Sequence, residues 1–202
     1  MMPLSTLVIA YLLGSIPFGY LLVKWQTGAD VRSAGSGNIG ATNVLRTTGR
    51  IAGVATLVLD IAKGFAAVAV AGRLTGGSEL WASVAALAVM AGHAFPIFLR
   101  FQGGKAVASF VGAFLRLTPL PLAAALVVFL GVAAWSRHIS LGSISAAATF
   151  PLAVWLILQP SWPVLAASVT AAAFIIYRHS SNIRRLRQGS EHVFSFASKH
   201  RS

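Results

Sequence analysis

The chain has 202 residues, of which 56% are hydrophobic and only 10% are charged. Soluble domains carry about 25% charged residues, so this composition excludes an ordinary soluble protein and predicts an integral membrane protein. The chain contains no cysteine, which excludes disulfide bonds and thiol catalysis, and its net charge is +12.

Seven apolar stretches predict an all-α, polytopic membrane bundle of about seven transmembrane helices, forming a single domain over residues 1–202. The first stretch lacks a basic segment before it, so we interpret it as a retained span and not as a secretory signal. The fourth is short for a straight crossing and is expected to be broken, tilted or re-entrant. The stretches are 4–23, 51–73, 80–99, 106–117, 119–135, 142–158 and 161–177.

Lys and Arg concentrate in alternate loops, which predicts an N-terminus outside and a C-terminus in the cytoplasm, provided that all seven stretches cross. The basic excess has two explanations, attraction to anionic lipid or a site for anionic substrates. Nucleic acid binding is not expected, because the basic residues flank spans. These residues are Lys24, Arg32, Arg46, Arg50, Arg100, Lys105, Arg137, Arg178, Arg184, Arg185, Arg187, Lys199 and Arg201.

The first long loop contains the segment GSGNIGATN, residues 35–43, here called the first glycine loop. Glycines permit positive φ and let a ligand approach the backbone, and successive amides in such turns hold anions. Nearby Arg46 and Arg50 suit bidentate contact with phosphate. The alternative is a flexible interfacial loop with helix caps. The candidate groups are Gly35, Ser36, Gly37, Asn38, Gly40, Thr42, Asn43 and Arg46.

A second glycine loop, residues 101–105, carries Gly103, Gly104 and Lys105 immediately before an apolar helix. Free amides at a helix start attract anions, and Lys105 adds a full positive charge. The alternative is an ordinary juxtamembrane lysine after a turn.

The tail segment 177–191 places His179 and Asn182 three residues apart, so they share one face if the helix continues. A basic stop after the last span explains the tail arginines equally well, but it explains His179 and Asn182 less well.

The segment SLGSIS, residues 140–145, begins the sixth stretch. Its serines are expected to cap that helix, with phosphate binding by their hydroxyls, Ser143 included, as the alternative.

Inside the spans, Asp60 and Lys63 are spaced to pair on one helix face, and we expect a structural ion pair. His93 is interpreted as a base or as a packing residue with one hydrogen bond. The acidic residues are scattered, so no metal site and no cofactor are predicted.

The segments GSGNIGATNVLR, LDIAKG, GHAFPIFLRFQGGKAVA and RHSSNIRRLRQGSE occur in this order. Together they resemble the bacterial acyl-phosphate:glycerol-3-phosphate acyltransferase family (PlsY) over about residues 4–193. Ile39 replaces a common proline and Ser180 replaces a larger polar residue, and neither change removes an expected ligand group.

The resemblance implies a seven-helix bundle that transfers an acyl group from acyl phosphate to glycerol 3-phosphate at the cytoplasmic side, without a cofactor and as a monomer in the bilayer. By the same resemblance, the catalytic residues are Ser36, Arg46, Lys105, His179 and Asn182. The implied substrate-binding residues are Gly35, Gly37, Asn38, Thr42, Asn43, Gly103, Gly104 and Ser143.

Two other function classes fit parts of the pattern. A transporter of anionic metabolites would need polar groups on both sides, whereas these cluster in loops on one side. A lipid-binding scaffold would leave the loop motifs unexplained.

Overall fold

The computed structural model describes residues 2–193, with side chains from residue 4 onward, and this range is almost entirely helical. Lys199 and Arg201 of the basic tail lie outside the described residues. Short 3-10 turns occur at Val31–Ser33 and Ile97–Leu99. The α-helices are α1 (Met2–Ser15), α2 (Phe18–Thr27), α3 (Ala41–Thr47), α4 (Arg50–Leu74), α5 (Glu79–Ala94), α6 (Val107–Leu117), α7 (Pro119–Ser136), α8 (Ile139–Leu158), α9 (Trp162–Arg178) and α10 (Ser180–Arg187).

The prediction of an all-α membrane protein is confirmed, and each of the seven apolar stretches is helical. Five helical stretches of the described chain are long and apolar enough to cross a bilayer, while α6 and α9 are shorter. The number of crossings and the side on which each terminus lies remain predictions. The five long stretches are Leu4–Thr27, Arg50–Leu74, Glu79–Leu99, Pro119–Ser136 and Ile139–Leu158.

The first apolar stretch is broken at Pro17, where the sequence had indicated one continuous helix. Proline lacks a backbone N–H and disfavours helical geometry in the residue before it, so α1 ends at Ser15 and α2 begins at Phe18. Lys63 of α4 donates a hydrogen bond to the Ile16 carbonyl at 2.8 Å. A buried side chain of another helix therefore pairs with a carbonyl at this break.

Helices α4 and α6 make backbone contact through glycine. A Cβ on Gly64 would lie 2.2 Å from the Ser109 carbonyl oxygen, and one on Gly112 would lie 1.8 Å from the Ile61 carbonyl oxygen. Such small residues allow membrane helices to pack closely. The register places the first turn of α6 beside Gly64 in the middle of α4, about 21 Å along α4 from Arg50. Helix α6 begins only at Val107, after the second glycine loop, and ends at Leu117.

Candidate active site

The polar loops converge on a cavity of about 500 Å³ at one end of the bundle. Loop residues distant in sequence line it together, and apolar side chains of α4, α6, α7 and α8 form the rest of its wall. The lining includes nine of the predicted site residues: Ser36, Asn38, Thr42, Asn43, Arg46, Lys105, Ser143, His179 and Asn182. The four glycines that were predicted to bind substrate, Gly35, Gly37, Gly103 and Gly104, do not line it.

The first glycine loop is organised from within by the buried side chain of Asn43. Its Oδ1 accepts a hydrogen bond from the Ser36 N–H at 2.8 Å. Its Nδ2 lies 3.1 Å from the carbonyl oxygens of Val31 and Ala34, and 2.8 Å from that of Asn38. The amide therefore uses both ends to fold the loop, and a direct role of Asn43 in substrate binding stays a prediction.

Two glycines of this loop adopt the left-handed conformation, with φ of 61° at Gly35 and 69° at Gly37. A Cβ on Gly35 would also lie 2.2 Å from Asn43 Oδ1. Gly40 does not use this freedom, since its φ is −77° as the residue before α3. Its N–H donates to Asn38 Oδ1 at 2.8 Å.

The second glycine loop lies on His93, at the end of α5. The Gly104 N–H donates to the His93 carbonyl at 3.1 Å. A Cβ on Gly104 would lie 2.1 Å from His93 Nε2, so glycine is required here by close approach. On its other side Arg178 Nη2 donates to the Gly104 carbonyl at 2.9 Å, and its guanidinium lies 5.0 Å from the Phe95 ring centre.

Lys105 follows this loop and donates from Nζ to Asn182 Oδ1 at 2.5 Å. Burial lowers the pKa of Lys105 to about 8, with Arg185, Arg46 and Arg178 adding to the decrease and Glu191 opposing it. A lysine with this pKa is charged at neutral pH. Its surroundings hold surplus positive charge, so an incoming phosphate dianion would be stabilised.

Asn182 is oriented by Glu191, which the sequence analysis treated only as a scattered acid. Glu191 Oε1 accepts from Asn182 Nδ2 at 2.6 Å and from Ser140 Oγ at 2.8 Å. Its Oε2 accepts from Arg185 Nε at 2.7 Å. Burial raises the pKa of Glu191, but these hydrogen bonds outweigh it and hold the pKa below its usual value. Glu191 is therefore a carboxylate that turns the Asn182 oxygen toward Lys105.

His179 is buried at the junction of α9 and α10, where the last helix is interrupted instead of continuing. Its Nδ1 lies 2.8 Å from the Ile175 carbonyl oxygen, which can only accept, so Nδ1 carries the proton. Burial and the charge of Lys105 lower the pKa of His179 to about 4. The imidazole is therefore neutral at pH 7, and its Nε2 is an acceptor.

The expectation that the SLGSIS serines cap their helix is wrong. Helix α8 begins at Ile139 after His138, and no side-chain hydrogen bond caps it. Ser140 instead donates to Glu191, and Ser143 donates to the Ile139 carbonyl at 3.0 Å. Ser143 still lines the cavity, so its predicted contact with substrate stays open.

The apolar part of the cavity runs along α4 and between α6, α7 and α8. Val54, Leu57 and Leu126 line it and are also exposed on the outer surface of the bundle, so the cavity borders the lipid-facing surface. Phe110 lines it from α6, backed by Phe114 and Phe150 at ring distances of 4.8 and 4.9 Å.

The expected pairing of Asp60 and Lys63 is confirmed, with Lys63 Nζ 2.8 Å from Asp60 Oδ1. His93 is buried beside them and packs against the second glycine loop. Within residues 2–193 no group of three or more His, Asp or Glu side chains could hold a metal ion.

The sequence analysis missed Arg178, Arg185 and Glu191 as parts of the site. Each lies in the tail, where a cluster of basic residues after the last span, or a solvated loop, would account for it equally well. Their partners lie far away in sequence, such as Gly104 for Arg178 and Ser140 for Glu191. The QGSE segment that ends the tail motif was the available signal.

Comparison with known proteins agrees with this arrangement. A family profile described as glycerol-3-phosphate acyltransferase matches residues 4–189. Proteins with that name from Trichlorobacter lovleyi and Geobacter sulfurreducens are 50% and 48% identical, and each alignment covers 92% of this chain and 94% of the relative. The one from Desulforamulus reducens is 48% identical over 90% of both chains.

Two crystal structures of PlsY, an integral membrane glycerol 3-phosphate acyltransferase, share the fold. The glycerol 3-phosphate form has a TM-score of 0.91 at 39% identity, and the lysophosphatidic acid form has 0.88 at 37%. Each match covers 96% of both chains. The chain therefore belongs to the glycerol-3-phosphate acyltransferase family.

Proposed function

We propose that the protein transfers an acyl group from acyl phosphate to glycerol 3-phosphate, giving 1-acyl-glycerol 3-phosphate (lysophosphatidic acid) and inorganic phosphate. The carrying observation is that one cavity joins a cationic polar end to an apolar wall beside the lipid-facing surface. Both substrates have a phosphate, and one of them also has a long acyl chain. The activity named for the relatives and the ligands named for the two crystal structures support the proposal.

In this proposal the phosphates bind at the polar end and the acyl chain lies along the apolar wall. Arg46 and Lys105 supply positive charge, while Ser36, Asn38 and Thr42 supply neutral groups from the first glycine loop. Ser143 and the loop amides receive the head of the acyl phosphate. A smaller polar pocket of about 240 Å³ shares Ser36, Asn38 and Lys105 with the main cavity, which supports room for a second phosphate there.

The acyl transfer is direct in our mechanism. The glycerol hydroxyl oxygen attacks the acyl carbon, the bond from that carbon to the phosphate oxygen breaks, and phosphate leaves with its charge stabilised by Lys105 and Arg46. Correct positioning of the two substrates supplies much of the rate gain. No acyl-enzyme is needed, because phosphate is already a good leaving group.

The hydroxyl proton goes to a phosphate group of the substrates, whose second pKa is about 6. His179, with a pKa of about 4, is too weak a base to hold the proton at neutral pH. Its Nε2 instead accepts a hydrogen bond from the attacking hydroxyl and orients it.

The setting is the bacterial inner membrane, with all seven helical stretches crossing, the N-terminus outside and the site at the cytoplasmic end. The basic loops that flank the site support this orientation. The functional unit in this proposal is a monomer.

Purified protein supplied with palmitoyl phosphate and glycerol 3-phosphate tests the proposal. We expect one inorganic phosphate released per lysophosphatidic acid formed, and no transfer from acyl-coenzyme A. Transfer from acyl-coenzyme A alone would overturn the donor assignment, and trapping of an acylated side chain would overturn direct attack.

A further inference from the structure

The mechanism above leaves a buried ionic cluster inside the bundle without a role. Asp60 and Lys63 pair on α4, and His93 Nδ1 of α5 lies 3.6 Å from Asp60 Oδ1. All three side chains are at most 4% exposed. Ionisable groups at this depth are costly, so their retention calls for a function.

The cluster lies directly beneath the second glycine loop. The His93 ring packs against Gly104. The backbone carbonyl of His93 accepts a hydrogen bond from the Gly104 N–H. Asp60 and His93 also line the main cavity. Among the described residues His93 Nδ1 has no hydrogen-bond partner, and an oxygen of the Asp60 carboxylate lies 3.6 Å from it.

We propose that Asp60, acting through His93, is a positioning residue that sets the place of the second glycine loop and therefore of the Lys105 ammonium. Asp60 is held in turn by Lys63, which also bonds to the Ile16 carbonyl at the α1–α2 break. The chain of contacts thus runs from the first membrane stretch through α4 and α5 to the loop.

Lys105 is the group whose position would change. The charged and titratable groups around it come from several elements: Arg46 of α3, Arg178 of α9, His179, Arg185 of α10, and Glu191. If the ring of His93 loses its anchor, the loop is free to move toward water. Lys105 then loses part of its burial, and its pKa rises from about 8 toward the ordinary lysine value.

Two variants test the inference, each in the full-length protein. His93→Phe keeps a ring against Gly104 but removes the contact with Asp60. The paired variant Asp60→Asn/Lys63→Met removes the anchor without leaving a buried unpaired charge. We expect each to lower kcat about 10- to 100-fold, because small displacements of a catalytic group cost this much, with the KM values within about threefold of wild type.

The effects of the two variants should not multiply. When both are combined, kcat should stay within about threefold of the worse of them, because they break the same contact. The matched control is Val89→Ala, a buried residue of α5 outside the cavity lining. It should lower the melting temperature and leave the pH dependence of turnover unchanged.

A measurement that needs no turnover reports the position of Lys105 directly. Reaction of its amine with an amine-specific reagent is followed by mass spectrometry across a pH series. The pH at which labelling of Lys105 is half-maximal should rise in both variants and stay near 8 in Val89→Ala and in wild type.

The turnover readout rests on the proposed function, whereas the labelling readout does not. If the wild-type protein transfers no acyl group, the proposed function is overturned, but the labelling test still applies. A variant that keeps both the wild-type labelling midpoint and the wild-type kcat would overturn the positioning role. Losses of kcat that multiply fully when the two variants are combined would also overturn it.

Discussion

Residues 35–43 and residues 101–105 are both glycine-rich loops that bring polar side chains to the cavity, but different parts of the chain hold them. In the first glycine loop one amide, Asn43, bonds to four backbone groups between residues 31 and 38. In the second, support comes from His93 below and from Arg178 above. The first loop is a local structure, whereas the second depends on the packing of α4, α5 and α9.

The largest effect is expected at Lys105, on which the second loop ends. Lys105→Met removes the charge that stabilises the leaving phosphate in the proposed mechanism, and turnover should fall about 10²- to 10³-fold. Arg187→Met, which removes an exposed cation of α10, is the control and should retain activity. Wild-type turnover of Lys105→Met in lipid or detergent would contradict the assignment.

Gly104→Ala tests whether the second loop is held by close packing. The new Cβ would overlap the buried His93 ring, so the loop must move, and turnover should fall about 10²-fold. Gly72→Ala is matched, because a Cβ at this glycine of α4 meets open space. Equal activity of the two variants would mean that the loop tolerates displacement.

Asn43→Leu tests whether the first loop is self-contained. It removes the contacts of the Asn43 amide with four backbone groups, in which one oxygen accepts and two N–H protons are shared among three carbonyls. With about 1 kcal/mol for each hydrogen bond, it should lower the melting temperature and reduce turnover about tenfold. The labelling midpoint of Lys105 should remain near 8, because the second loop has separate supports. Ser33→Ala is the control, since Ser33 is exposed and bonds only to a backbone carbonyl. A shifted Lys105 midpoint in Asn43→Leu would show that the loops are coupled.

The pH dependence separates the proton acceptor from the phosphate-binding cation. In our proposal the charged form of Lys105 is the active one, so kcat/KM, which reports the free protein, should halve near pH 8 and fall further as the pH rises. The kcat should fall only at higher pH, because a bound phosphate dianion raises the pKa of Lys105. On the acid side, a limit near the phosphate pKa of about 6 is expected if substrate phosphate takes the proton. A limit near 4 would instead identify neutral His179 as the base.

The smallest change in turnover is expected at Gly37. A side chain there would strain the backbone conformation but would meet no close neighbour. Its φ is 69°, and a Cβ would lie 3.4 Å from the Arg32 carbonyl oxygen, an ordinary contact. Gly37→Ala should destabilise the protein by about 1–2 kcal/mol and change turnover less than threefold. A loss as large as that of Gly104→Ala would indicate that substrate touches the Gly37 backbone.

Sequence patterns predicted the helices well because apolar runs in a bilayer leave the backbone few alternatives. They placed all seven helical stretches and singled out the short α6, but its position beside the middle of α4 is seen only in the close approaches at Gly64 and Gly112. The break before α2 was missed, although Pro17 was visible.

The parts of the site that were predicted are short segments whose residue types indicate phosphate binding by themselves, such as the glycine loops. Its long-range contacts were not predicted. Glu191 and Ser140 are 51 residues apart, and Arg178 and Gly104 are 74 apart, and no local periodicity connects such pairs. The preference for capping in SLGSIS failed for the same reason, since Ser140 has a stronger partner in the tail.

Protection of Lys105 from amine labelling tests most directly whether the two glycine loops form one phosphate-binding site. Glycerol 3-phosphate and inorganic phosphate, each added alone, should slow the labelling of Lys105 and leave that of exposed Lys24 unchanged. Unchanged labelling of Lys105, at substrate concentrations that saturate turnover, would contradict the account.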